Sequence, residues 1–251
     1  MHTIFDEFNM GSYHFVRFRS ESDLPLESGM GASAATAVAT VGALNRSNNL
    51  GMDTGQIAEK AWDIEVNKIG LFGGRQDQYA AAFGGVNIFE FTKDKIDITP
   101  LGKNFIDQIY PSFVLLYAGK NRENPKIQEG FKELTKEQVE RLNEIKNITL
   151  KAIEPLTKGD IEKVGHLLDR SWRLKQRANK GVSAPWLNKL YERGKVAGAL
   201  GGKVCGAGGG GFMFFIVKPN KKEEFIKKME KEGVEWWDFC PDWNGLEVKV
   251  L

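Results

Sequence analysis

The sequence predicts an α+β protein in two parts, and three observations lead there. Segments with strand character and segments with helix character follow one another in a mixed order. Two glycine clusters, at residues 29–31 and 206–211, each open onto a buried element, the first a helix and the second a strand. The chain has 251 residues, enough for one large domain or two small ones that share a cleft.

Residues 13–19 are rich in aromatic and β-branched side chains and read as a strand. Residues 27–45 open on glycines and continue in small residues, which predicts a glycine-rich loop running into a buried helix that starts near Ser33. The Ala and Gly content of that helix predicts close packing against another element. Residues 54–68 form a second helix with Thr54 as N-cap; Ile57 stands three residues on, so no capping box is expected. Ile57, Ala61, Ile64 and Lys68 share one side of it. Residues 70–75 are a loop, and 76–85 a short helix ended by glycines. Residues 86–91 and 95–99 read as paired strands, and 112–117 as a buried strand. From 135 to 197 the pattern is helical, with breaks near 155–159 and 180–185, and Leu167, Leu168, Trp172 and Leu174 supply core surface. Residues 206–217 are a glycine loop followed by a buried strand. Residues 221–232 are a Lys/Glu-rich amphipathic helix read as a solvated face. Residues 234–239 and 245–251 complete the pattern as strands.

Composition excludes several classes. Hydrophobic residues make up 41% and charged residues 27%, the mix of a soluble globular protein. The 35 basic and 33 acidic residues nearly balance, which argues against nucleic acid as a partner and leaves room for a basic patch at a phosphorylated ligand. Two cysteines, Cys205 and Cys240, read as reduced, buried thiols. His2, His14 and His166 are scattered and show no metal-ligand spacing. No apolar run approaches the ~20 residues of a membrane span. The first residues carry acids and polar groups where a signal peptide has its apolar stretch, so the chain reads as cytoplasmic.

Three segments carry candidate chemistry. In residues 29–35, glycines let the backbone approach a ligand, and the following helix aims free N–H groups and its positive dipole end at the loop. That combination binds phosphate, although glycines before an Ala-rich helix also serve tight packing. No Gly-Lys-Ser/Thr follows, so this is not a Walker loop. The second segment sets Glu65, late on its helix, against Asp77, which follows a glycine loop that can fold back beside it. Two carboxylates near backbone N–H groups suit a divalent cation and a base for a hydroxyl; the alternative is a solvated Glu and a helix-capping Asp. The third segment holds five glycines in residues 206–211, which implies that a ligand or the first loop comes close to the backbone.

Together the three segments resemble the GHMP kinases. Residues 25–34 match the loop pattern Pro-x-x-x-Gly-x-Gly-Ser-Ser-Ala, with Ala32 in place of the first Ser. Residues 73–85 match an Asp-containing segment, and residues 206–211 a glycine motif before a core strand. The wording of residues 73–85, 171–175 and 198–212 is similar to the D-glycero-D-manno-heptose phosphate kinases. The resemblance covers residues 22–217 and implies a partial N-terminal domain, residues 1–105, and a ferredoxin-like C-terminal domain, residues 106–251. Nothing before Tyr13 resembles the family's usual N-terminal strands and sugar-gripping turns.

The resemblance also implies roles. Gly29, Met30, Gly31, Ala32, Ser33 and Ala34 surround the ATP phosphates, and Gly208, Gly209 and Gly210 lie near the phosphate loop and the substrate. Ser33 and Glu65 match the Mg²⁺ ligands, and Asp77 the residue that orients or deprotonates the accepting hydroxyl. Arg75 is a candidate phosphate contact by its position. The implied activity is transfer of the ATP γ-phosphoryl group to a sugar hydroxyl, the anomeric one in the heptose kinases, with a sugar or sugar phosphate as the small-molecule partner and neither nucleic acid nor membrane. A homo-oligomer, or a partner that completes the N-terminal wall, is a further expectation. The rival readings are an ATP-binding pseudokinase or sensor without turnover, and a family member acting on another alcohol such as galactose, mevalonate or homoserine.

Overall fold

The computed structural model describes residues 4, 8, 19–25, 28–119, 134–178 and 181–249. Residues 13–18, most of the first expected strand, lie outside them. The chain divides into two compact units: Met1–Leu26, Gly31–Pro100 and Pro241–Leu251 form one, and Glu27–Met30 with Leu101–Cys240 the other.

Among the described residues, the first unit carries three long stretches of α-helix and a two-stranded sheet. Helix α1 (Ala32–Ser47) begins at Gly31, whose φ of 73° lies in the left-handed region that favours glycine. Its small residues allow the close packing expected: a methyl group on Gly42 would come within 2.7 Å of the Leu246 side chain. Helix α2 (Thr54–Asp63) is capped by Asp53, not Thr54. Asp53 accepts from the Gln56 amide at 2.8 Å, and the Gln56 side chain accepts from the Asp53 amide at 2.9 Å, a complete capping box where none was expected, because the cap lies one residue before Thr54. The helix then changes to a π turn (Ile64–Lys68). Ile57, Ala58, Ala61 and Ile64 are buried, but Lys68 is exposed, since it ends the π turn where the chain leaves the helix.

Helix α3 (Gln76–Phe83) ends at Gly84 as expected, and strands β1 (Val86–Phe91) and β2 (Ile96–Leu101) pair. Val38, Val41, Ile57, Ile64 and Tyr79 lie in one apolar core, with Leu246 packed against it. Residues 245–249 form no strand. The Leu246 amide donates to the Ala82 carbonyl, and Gly245 lies tight against the backbone of Gly84, so this segment docks on α3 instead of joining a sheet.

The second unit carries a four-stranded antiparallel sheet. After helix α4 (Lys103–Ile109) come strand β3 (Phe113–Tyr117), helices α5 (Lys136–Thr157), α6 (Ile161–Ala178) and α7 (Pro185–Ala197), strands β4 (Ala199–Val204) and β5 (Phe212–Val217), helix α8 (Lys222–Glu230) and strand β6 (Glu235–Trp237). The spatial order is β4-β5-β3-β6, with Leu115 opposite Phe214 and Gly202 opposite Phe215. A strand, helices, two strands, a helix and a strand in this spatial order make the expected ferredoxin-like arrangement.

Thr135 and Gln138 form a capping box at the start of α5, and that helix runs through Pro155 to Thr157, so the break falls between Thr157 and Ile161. Of the four expected core residues on α6 only Trp172 is fully buried; Leu167, Leu168 and Leu174 are half-buried. Helix α6 lies so close to β4 that a methyl group on Gly165 would meet Leu200 Cβ at 2.5 Å. Both cysteines are free, but Cys240 is exposed and not buried, because it follows β6 beyond the end of the sheet.

Candidate active site

In the first unit the site is built from the start of α1, the π turn and the first turn of α3. No side chain caps α1, so the N–H groups of its first residues are not claimed by a cap; the Gly31 carbonyl accepts from the Ala35 amide at 2.9 Å. Ser33 is exposed there, while Ala34 turns into the core.

The Ser33 hydroxyl donates to Glu65 Oε1 at 2.5 Å. Glu65 is only 7% exposed, which removes the reading of a solvated surface acid. Its other oxygen, Oε2, accepts from Gln78 Nε2 at 2.7 Å. The π turn places Glu65 in its first turn and returns its carbonyl to the Leu71 amide at 2.9 Å. π turns of this kind recur at functional sites.

Asp77 sits in the first turn of α3, exposed, and accepts from Gln76 Nε2 at 3.2 Å. It does not cap the helix, since Arg75 holds the N-cap position without a side-chain bond. Its carboxylate flanks Gly31: a methyl group there would lie 3.6 Å from Asp77 Cβ and 3.9 Å from Oδ2. Ser33 and Glu65 thus meet at the first turn of α1, with Asp77 beside Gly31 just before it.

Arg75 is placed differently. Its guanidinium pairs with both carboxylate oxygens of Glu59, at 2.9 and 3.0 Å from Nε, and stacks 3.6 Å over the Trp62 ring. Among the described contacts none joins Arg75 to Ser33 or Glu65. Glu59 raises the Arg75 pKa, chiefly through this hydrogen bond. Burial, with Glu59 adding to it, also raises that of Tyr79, whose hydroxyl donates to the same carboxylate at 3.3 Å. The Trp62 indole holds the Gly73 carbonyl at 3.2 Å, so α2 ties down the loop before α3 at two points.

In the second unit, residues 28–30 lie against the second glycine cluster. The Ser28 carbonyl accepts from the Phe212 amide at 3.1 Å. A methyl group on Gly29 would come within 2.9 Å of the Cys205 carbonyl oxygen; Met30 is exposed. Gly208 presses on the Val182 carbonyl, and the Gly209 amide donates to that same oxygen at 2.9 Å. The Gly211 amide donates to the Gly119 carbonyl at 2.9 Å, and Gly210 is buried. Gly206 and Gly208 are therefore required by close approach of the chain to itself, Gly206 with the first loop as its neighbour. Lys175 Nζ donates to the Gly206 carbonyl at 2.9 Å. Burial pushes the Cys205 thiol pKa up, against the nearby Lys203 and Lys175.

Gln78 and Lys175 were not foreseen as site residues. Gln78 directly follows Asp77, but nothing in the sequence shows that it reaches Glu65. Lys175 falls in the segment 171–175 already noted for its wording.

Glu65 and Ser33 present hard oxygen donors to one another's side. Gln78 Oε1 is buried without a hydrogen-bond partner, and no group of three or more His, Cys, Asp or Glu gathers among the described residues. That donor set fits Mg²⁺, which takes one or two carboxylates and completes its shell from water and phosphate oxygens. No helix among the described residues is long and apolar enough to cross a membrane.

Residues 1–85 match the family described as GHMP kinases N terminal domain, and residues 150–235 that described as GHMP kinases C terminal. The chain is 38% identical over 231 residues to D-glycero-alpha-D-manno-heptose 7-phosphate kinase of Campylobacter jejuni, covering 90% of this chain and 68% of the relative. It is 30% identical over 235 residues to mevalonate kinase of Pyrococcus furiosus, covering 91% of this chain and 66% of that protein, just under two thirds of its length. Among solved structures, a D-glycero-D-manno-heptose 1-phosphate kinase from Bacteroides thetaiotaomicron superposes with a TM-score of 0.71 at 26% identity, covering 98% of this chain and 72% of the other. With both family regions matched and a relative at this identity and coverage, the chain belongs to the GHMP kinases.

Proposed function

We propose that this chain carries the phosphoryl-transfer site of an ATP-dependent sugar kinase whose acceptor is a heptose 7-phosphate or a related sugar. The observation that carries the proposal is the grouping of Ser33, Glu65 and Asp77 at the uncapped start of α1. In this reading residues 29–34 hold the ATP phosphates, with N–H groups and the positive end of α1 facing negative charge. Gly208, Gly209 and Gly210 shape the backbone beside the phosphates and the acceptor. Arg75, bound to Glu59 and Trp62, serves by fixing the start of α3.

Ser33 and Glu65 would hold Mg²⁺, which supplies charge neutralisation on the phosphate oxygens when bound. Asp77 orients the acceptor hydroxyl and takes its proton as the sugar oxygen bonds to the γ-phosphorus; the bond from that phosphorus to the bridging oxygen breaks and ADP leaves. The heptose kinase relatives support a sugar phosphate as acceptor, and the mevalonate kinase relative keeps a non-sugar alcohol among the compounds to be tried.

ADP release from Mg-ATP, followed across a panel led by D-glycero-D-manno-heptose 7-phosphate, tests the reading. Turnover should appear with a sugar phosphate and fall about 10²–10⁴-fold in Asp77→Asn. Nucleotide binding without turnover on any acceptor would instead fit the sensor reading.

A further inference from the structure

We infer that Gln78 is the positioning residue that fixes the cation-binding carboxylate of Glu65; the inference rests on the Mg²⁺ reading above. The argument begins with the two oxygens of Glu65. One accepts from the Ser33 hydroxyl and the other from the Gln78 side chain. A carboxylate only accepts, so the group facing Oε2 has to be the Gln78 NH₂. Gln78 is 6% exposed, so neither partner of this bond exchanges freely with water.

The two holds on Glu65 differ in what becomes of them. Ser33 Oγ and Glu65 Oε1 are the atoms that would face a cation, and a cation shared between them would replace the proton they now share. The bond from Gln78 lies on the opposite oxygen and survives that exchange. Among the described hydrogen bonds it is then the one from a side chain that still fixes the carboxylate's orientation.

The chemical type of the residue also fits. A lysine or arginine in this position would hold the carboxylate equally well but would cancel the charge that attracts a cation. A carboxamide holds it and leaves that charge intact. Helix α3 adds a coupling. Asp77 and Gln78 are adjacent on its first turn, so one helix turns Asp77 outward beside Gly31 and Gln78 inward onto Glu65. The carboxylate for the acceptor and the carboxylate for the cation are set by the same element.

The test is a titration of Mn²⁺ against the full chain with ATP, read by electron paramagnetic resonance, for the wild type, Gln78→Met and Gln78→Ala. Nucleotide binding is measured in parallel in EDTA, and thermal unfolding confirms that each variant folds. Met keeps most of the volume and Ala does not, so an effect common to both belongs to the lost donor. The expected result is Mn²⁺ binding weakened roughly 10–100-fold in both variants, with metal-free nucleotide affinity unchanged within about twofold. Equal Mn²⁺ affinity in either folded variant would overturn the inference and leave the kinase reading standing. Parallel loss of metal-free nucleotide binding would overturn it in favour of a purely structural role. A wild type with no nucleotide-linked Mn²⁺ site would overturn the Mg²⁺ reading and this inference with it.

Discussion

Gly206 and Gly29 touch backbone to backbone: a methyl group on Gly206 would stand 2.8 Å from both the Cα and the carbonyl oxygen of Gly29. Gly206 also has a φ of 58°, where an L side chain is strained. Gly206→Ala should therefore destabilise the protein by about 1–3 kcal/mol. For a chain of this size that lowers the melting temperature by roughly 3–10 °C. Differential scanning fluorimetry checks this, and an unchanged melting temperature would show that the loop shifts to accept the methyl group.

Glu65→Gln keeps the shape of the side chain and removes its charge. If Glu65 holds the cation, the Mg²⁺ concentration for half-maximal activity should rise about tenfold or more. If Asp77 holds the acceptor, as proposed, the KM for the sugar should change little. A Mg²⁺ dependence identical to that of the wild type would take Glu65 out of the cation site.

Acid sensitivity should trace in part to Asp169 in the second unit. Burial opposes its charge, but the Tyr191 hydroxyl at 2.7 Å, Arg173 at 3.1 Å and Lys195 at 3.5 Å hold its carboxyl below the ordinary range. A depressed folded pKa means that the unfolded state binds the proton first. The stabilisation is complete above the unfolded value of ~3.9 and is lost as pH falls through the folded one. Asp169→Asn should flatten the acid limb of a plot of stability against pH below ~4, measured by urea unfolding at a series of pH values. An identical acid limb would show that other carboxylates set it.

The two thiols should react at different rates. Cys240 is exposed, whereas burial pushes the Cys205 thiol up and away from the reactive thiolate. A disulfide reagent such as DTNB should modify one thiol quickly in the native protein and the second only on unfolding. Cys240→Ser should abolish the fast phase, and a fast phase that persists would assign it to Cys205.

The legible parts of the site share a cause. Gly29, Gly31 and the small residues of α1 announce themselves because few residue types suit tight backbone approach, and Asp77 follows its own glycine loop. What stayed hidden depends on contacts made at a distance in sequence. Buried Glu65 accepts from Gln78, thirteen positions on, and no periodicity encodes that hydrogen bond. Arg75 reads as a candidate phosphate contact by position, and its bonds to Glu59 and Trp62, 16 and 13 positions back along the chain, appear only in the fold.

The cap of α2 was readable in principle. Asp53 and Gln56 have box spacing, but the neighbouring Thr54 drew the assignment one residue too far. Residues 245–251 alternate like a strand, yet Leu246 finds its place on Gly42, where absence of a side chain on α1 leaves room for it. Tertiary packing decided that segment, and local pattern did not.

The handedness of the backbone at Gly31 and Gly206 bears on what this chain keeps under mutational drift. Both positions sit at positive φ, and Gly206 in addition faces Gly29 across a gap with no room for a methyl group. Folding alone is enough to retain them, whether or not any phosphate ever binds. Ser33 and Asp77 are exposed and answer to no such constraint. A descendant of this chain that lost turnover would keep its glycines and shed those two side chains first, so its silence would be written in the polar residues and not in the loop.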